Sequence, residues 1–346
     1  MSSRSIAGGI ARPLVADAGK RFDWVVTSGI AWLLGGLYAD GWAHGYGLPD
    51  SFWTVWHAIF YSGFAAVATV VVGMVALRRP LAPSWSAAAP RGYLASVVGA
   101  FVFAVGGAFD MGWHTAFGIE VGNDVLLSPS HLMLGLGIAL LVTGPLRADL
   151  YRRDRSTWLA ERLPMVLSLT ALFSLLTFFT LYAGPYSGLL GSKGTSLRGD
   201  TVYRGLLGMF LFSAFAVGLV MIVLRRTTLP AGALTIFFGL NGIAMIVMQG
   251  HAPPEVQLAF SGVAVGAGAL ADVLRWRLQP SAQRPMSLRL FAALVPAGFW
   301  SLYFLAVFFL VGFAWTLTFV LGSILLCAVV GLFLSFVALP PALDTT

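Results

Sequence analysis

A chain of 346 residues that is 58% hydrophobic and only 10% charged, with a mean hydropathy of +0.85, has too little polar surface to coat a water-soluble globule. That excludes a soluble enzyme or binding module and makes the bilayer its solvent. The lone cysteine, Cys327, excludes an intrachain disulfide and a multi-thiolate metal site, and the net charge of +7 speaks here to loop orientation and not to nucleic acid.

Residues 1–22 carry Arg4, Arg12 and Lys20 among Ser, Gly and Ala, without an apolar run long enough for a signal-peptide core. They read as a cytoplasmic segment ahead of a retained first helix. Spanning the hydrocarbon takes about 20 mostly apolar residues. Windows of that length fall at 23–44, 53–77, 92–115, 127–147, 164–184, 203–224, 231–250, 256–274, 287–311 and 313–339, so the expected fold is an all-α integral membrane bundle of ten helices. The last two are expected to part at a tight turn from Val311 to Thr316, leaving 340–346 as a tail. With the N-terminus inside, eighteen of the twenty-one Lys and Arg fall in the cytoplasmic loops, and only Lys193, Arg198 and Arg204 lie opposite. The positive-inside rule then places both termini in the cytoplasm of a multi-pass protein, in a bacterial plasma membrane. The longest loops, around 78–91, 148–163 and 185–202, are too short for a soluble domain.

All five histidines, His44, His57, His114, His131 and His251, fall at the extracytoplasmic ends of these helices. Four belong to two related phrases. The first runs Asp40, His44, Asp50, His57; the second runs Asp110, His114, Glu120, Asp124, His131. Each opens on a Gly-Gly pair, sets Asp four residues before the first His, and closes with an Asp seven residues before the last, so 23–77 and 92–147 read as an internal repeat. Residues i and i+4 share a helix face, and the next antiparallel helix returns His57 or His131 to the same depth. One carboxylate and two imidazoles make an open nitrogen and oxygen site suited to copper, zinc or iron. Asp50, Glu120 and Asp124 are candidates to orient the imidazoles through their other N–H. Asp and His are costly inside a membrane and tend to mark a site. His251, before Pro253, Pro254 and Glu255, reads as a helix-end loop residue, Met111, Met245 and Met248 as packing, and Asp272 with Arg275 and Arg277, and Asp23 with Lys20 and Arg21, as rim ion pairs.

The run Asp40, His44, Asp50, His57 resembles the metal motif in the C subunit of particulate methane and ammonia monooxygenases, and Leu126-Leu127-Ser128-Pro129-Ser130-His131 looks like the ending of that motif. The resemblance covers roughly residues 35–135, with Asp110 where that family has Asn. It implies copper held by Asp40, His44 and His57, an overlapping site of His57, Asp110 and His114 with His131 as an addition, and a partner membrane subunit. Residues 164–339 form a six-helix half that matches nothing in that family.

The favoured expectation is therefore a copper-binding membrane protein, oxygenase-like or copper-handling, working with a partner subunit or further copies of itself. A metal-ion or proton transporter is one alternative; the apolar inner halves of helices two to four count against it. A zinc-dependent intramembrane hydrolase is the other, and the chain lacks the His, three residues, His pair found in such enzymes.

Overall fold

The computed structural model describes residues 17–48, 51, 53–118, 124–152, 156–186, 188–193 and 199–340. Among the described residues there is no β-strand, and ten long helices follow one another. They are α1 (Lys20–Gly45), α2 (Val55–Arg78), α3 (Leu94–Phe117), α4 (Pro129–Tyr151), α5 (Leu159–Phe179), α6 (Gly199–Leu224), α7 (Ala233–Gln249), α8 (Pro254–Leu278), α9 (Pro285–Leu310) and α10 (Leu317–Ala338). Eight of them, α2 to α6 and α8 to α10, are long and apolar enough to cross a membrane. Of the other two, α7 has 17 residues, and α1, with 26, is diluted in its last turns by Gly35, Gly36, Tyr38 and Asp40. The turn between α9 and α10 occupies 311–316 as the sequence predicts, with Gly312 at φ +73° and Thr316 capping α10 by accepting from the Phe319 amide. Large apolar side chains such as Phe101, Leu325 and Phe333 point outward, a surface that suits lipid and not water.

The most enclosed helix is α5, which touches α1, α4, α6 and α7. Around it α1 packs along α2 and α3 along α4 as two hairpins, while α6 to α10 form the other half. That second half is filled by stacked aromatics, Phe173 against Phe237 at 4.4 Å and Phe212 against Phe299 at 4.5 Å. Two of its buried polar edges find partners: the Trp300 indole N–H donates to Ser213 Oγ and the Tyr303 hydroxyl to the Pro185 carbonyl.

The hairpins that carry the histidines are held tight by small residues, as helix packing in lipid requires. A Cβ placed on Gly36 would lie 2.5 Å from the Phe60 Cα, and one on Gly137 would lie 2.7 Å from the Phe103 amide nitrogen. Both glycines are met by backbone, which cannot yield as a side-chain tip can. Gly36→Val is expected to force α1 and α2 apart at a cost of about 1–3 kcal/mol, read as a lower denaturation midpoint in detergent. An unchanged midpoint would show that the approach is looser than described.

At the end of the bundle opposite the histidines, the expected pairing of Asp23 with Lys20 and Arg21 is replaced. Asp23 is buried, its carboxylate 2.6 Å from Arg152 and accepting from the Tyr93 hydroxyl at 2.6 Å, so that α1 is tied to α3 and to the end of α4. Lys20 instead meets Glu161 at 2.6 Å. Burial demands a firm partner for Asp23, and its exposed neighbours Lys20 and Arg21 cannot follow it inside. The Arg152 guanidinium also reaches Asp17 and holds that carboxyl below the usual aspartate range. The expected rim pair of Asp272 with Arg275 is present at 3.6 Å, and Asp272 also accepts from the Thr235 amide and hydroxyl.

Candidate metal centres

Each histidine hairpin is built by the same local rules. The last turns of α1 place Asp40 and His44 four residues apart on one face, with His44 Nε2 3.6 Å from Asp40 Oδ2. The start of α2 is set by Thr54, whose hydroxyl caps the helix by accepting from the His57 amide. The same hydroxyl lies 3.0 Å from His57 Nδ1, and the Ser51 carbonyl lies 2.9 Å from that nitrogen. His57 Nε2 then comes within 3.5 Å of Asp40 Oδ1.

In the second hairpin the last turns of α3 bring His114 Nε2 within 3.5 Å of Asp110 Oδ1. Ser128 caps α4, accepting from the His131 amide, and its hydroxyl meets His131 Nδ1 at 2.7 Å. His131 Nε2 lies 3.6 Å from the same Asp110 Oδ1. Hydroxyl, two residues, His at a helix start is thus the device that aims His57 and His131. The capping roles of Thr54 and Ser128 were legible as polar residues three places before a histidine at the start of an apolar run, a signal that motif spacing alone passes over.

In each trio one ligand atom per residue lies within 4.8 Å of the others, so Asp40, His44 and His57 form one group that can hold a metal and Asp110, His114 and His131 a second. His57 sits with Asp40, and the partners of Asp110 are His114 and His131, so the overlapping arrangement expected through His57 is replaced by two separate trios. The reason lies in the packing: each trio closes within one tight hairpin, whereas α2 and α3 touch more lightly. Asp50 and Glu120 lie outside the described residues, as does the side chain of Asp124.

The donor set of each trio suits a cation. A carbonyl oxygen only accepts, so His57 Nδ1 facing Ser51, and His114 Nδ1 at 3.3 Å from the Gly118 carbonyl, must carry the proton. In both trios Nε2 then faces a carboxylate oxygen. Asp110 Oδ1, fully enclosed, has no hydrogen-bond partner. A buried carboxylate ringed by imidazole nitrogens is stabilised by a positive charge among them, a proton or a metal ion. The separations of 3.5–3.6 Å are close to the roughly 3.4 Å edge of a tetrahedron whose metal–ligand bonds are about 2.1 Å.

Tyr61 is a residue the motif reading missed. It lies one turn beyond His57 on α2, its ring 6.3 Å from that imidazole, and packs over Gly107, one turn before Asp110 on α3. It therefore bridges the hairpin of the first trio and the helix that carries Asp110. Its signal was the four-residue spacing from His57. Below it, Phe64 stacks on Phe103 at 4.1 Å and Phe60 meets Phe103 edge-on at 5.5 Å. His251 belongs to neither trio; it lies in the loop between α7 and α8, stacked on Tyr46 at 5.0 Å. Met245 and Met248 are buried in packing, and Met111 faces outward.

Fold and site together define a helical, membrane-type protein with two Asp–His–His groups able to bind metal. No family model, no curated protein and no solved structure matches this chain.

Proposed function

We propose that this protein is a ten-span membrane metal protein with both termini in the cytoplasm, and that its duplicated hairpins bind two copper ions at the extracytoplasmic face for an oxygenase-like or copper-handling role. The observation that carries the reading is the pair of Asp–His–His groups, in each of which one ligand atom per residue lies within 4.8 Å of the others. Copper is favoured because mixed imidazole and carboxylate donors bind Cu(II) most tightly among the divalent first-row ions, and because of the resemblance to the copper motif of the monooxygenase C subunit. Three protein ligands leave a coordination position open, where copper would supply redox chemistry.

The chain's own part is positional. Thr54 and Ser128 fix the rings from Nδ1, Asp40 and Asp110 balance the cationic charge, and the Phe60, Phe64 and Phe103 cluster closes the bundle beneath the two groups. That aromatic closure, with apolar residues below it, counts against a transport path through α2 and α3.

The test is metal content by mass spectrometry after parallel exposure of detergent-purified protein to copper and zinc. Wild type is expected to keep copper at both groups, and His44→Ala/His57→Ala and His114→Ala/His131→Ala are each expected to lose one equivalent. Acidification is expected to release the metal, because protons compete for the imidazole nitrogens. Equal metal in wild type and both variants would end the reading, and a clear preference for zinc would move a hydrolase to the front.

A further inference from the structure

The second half of the bundle holds a cavity of about 440 Å³ at its histidine end, beneath the loop that joins α7 to α8. That volume falls in the range of small-molecule sites. Its wall combines apolar Ile246, Val256 and Phe260 with polar His251 and Gln257, and among the described residues no Lys, Arg, Asp or Glu lines it. With no counter-charge among those residues, the wall favours an uncharged guest.

The polar groups also specify which hydrogen-bonding partner the guest must bring. Gln257 spends its amide N–H groups on the Ala252 carbonyl at 2.7 Å and the Gly250 carbonyl at 3.3 Å, which leaves its amide oxygen as an acceptor. The His251 Nδ1–H donates to the Gln249 carbonyl, which leaves Nε2 as an acceptor. Tyr186 also lines the cavity, and its buried hydroxyl has no hydrogen-bond partner. A hydroxyl answers both kinds of group, donating to the free acceptors and accepting from the Tyr186 O–H, and an apolar wall calls for an apolar body.

The cavity is linked to the helix of the first metal-capable trio through Tyr46. Tyr46, two residues beyond His44, stacks on His251 at an interplanar angle of 19° and donates its hydroxyl to the Gly250 carbonyl at 3.0 Å. A Cβ on Gly45 would lie 3.7 Å from His251 Cε1. One aromatic layer thus joins the cavity wall to the helix turn that carries His44.

We propose that this cavity binds a small uncharged molecule with an apolar body and a single hydroxyl, and holds it beside the Asp40 trio. Binding stands on the cavity alone; only the guest's relation to a metal rests on the reading given above. The probe is para-fluorobenzyl alcohol, followed by fluorine NMR against metal-free, detergent-purified protein, with para-fluorotoluene as the hydroxyl-free control. Wild type is expected to bind the alcohol saturably. Gln257→Leu should weaken it about fivefold to tenfold, the effect of losing one neutral hydrogen bond, and leave the control unchanged. Ala252→Trp, which fills the cavity from the loop, should abolish binding while size-exclusion and circular-dichroism profiles stay those of wild type. Equal affinity for the alcohol in wild type and both variants would overturn the proposal, since it would report partition into detergent alone. With Cu(II) added, the bound probe's resonance should broaden in wild type and not in His44→Ala. Saturable metal-free binding without that broadening, in protein shown by mass spectrometry to hold copper, would leave the cavity site standing and overturn its placement beside the Asp40 trio.

Discussion

Asp110→Asn is expected to strip the α3–α4 trio of its metal while the Asp40 trio keeps its own, leaving one of the two groups loaded. Both histidines of that hairpin face one carboxylate oxygen, at 3.5 and 3.6 Å. Asparagine keeps the shape but loses the charge, and its N–H₂ turns a converging set of lone pairs into a mixed set. The loss of affinity should exceed the roughly 10–100-fold typical of replacing a mere orienting partner.

The same substitution should act with the opposite sign on the metal-free protein. There Asp110 Oδ1 is buried with no hydrogen-bond partner, and an asparagine N–H in its place can donate to the Nε2 of a neutral His114 or His131. The metal-free variant is therefore expected to be more stable than metal-free wild type by about 1–3 kcal/mol, the cost of an unsatisfied buried group, whereas copper should raise the melting temperature of wild type more than that of the variant. Calorimetry with and without copper reads both halves. A variant that melts below wild type without metal would mean that Asp110 serves the fold and not a cation.

How far the sequence disclosed this site depends on the range of the interactions. Helix lengths and the pairing of Asp40 with His44, and of Asp110 with His114, follow from local spacing, because helical geometry fixes what lies four residues away. Which hairpin closes with which histidine does not. The family-like overlap through His57 is consistent with spacing alone, and only the close approach of α1 to α2 at Gly36 and of α3 to α4 at Gly137 divides the ligands into two trios. Tyr61 acquires its position from packing across to α3, and Asp23 finds Arg152 far along the chain because burial demanded a partner that its exposed neighbours could not be. The cavity beside His251 is further from legible still. His251 reads as a loop residue from sequence and is one; its significance comes from Tyr46, on another helix, lying flat against it.

The largest effect on stability is expected from Arg162→Met. Arg162 is buried in the first turn of α5, with its guanidinium 2.7 Å from Asp149 Oδ2 on α4 and donating at 2.6 Å to the Thr228 carbonyl ahead of α7. Removing it leaves a buried carboxylate and a carbonyl facing an apolar side chain, a loss of about 3–5 kcal/mol for breaking one side of an enclosed pair. The double variant Arg162→Met/Asp149→Leu removes both charges and should recover most of that, since the desolvation of an ion pair offsets much of its attraction. Because α5 touches α1, α4, α6 and α7, the single variant should unfold at lower denaturant throughout the bundle and not in one hairpin. Its copper content, measured below the new midpoint, should match wild type, as Arg162 lies at the end of α5 away from the histidines. A single variant within about 1 kcal/mol of wild type, or a double variant no better than the single, would show that the pair is solvated and carries none of the load assigned to it.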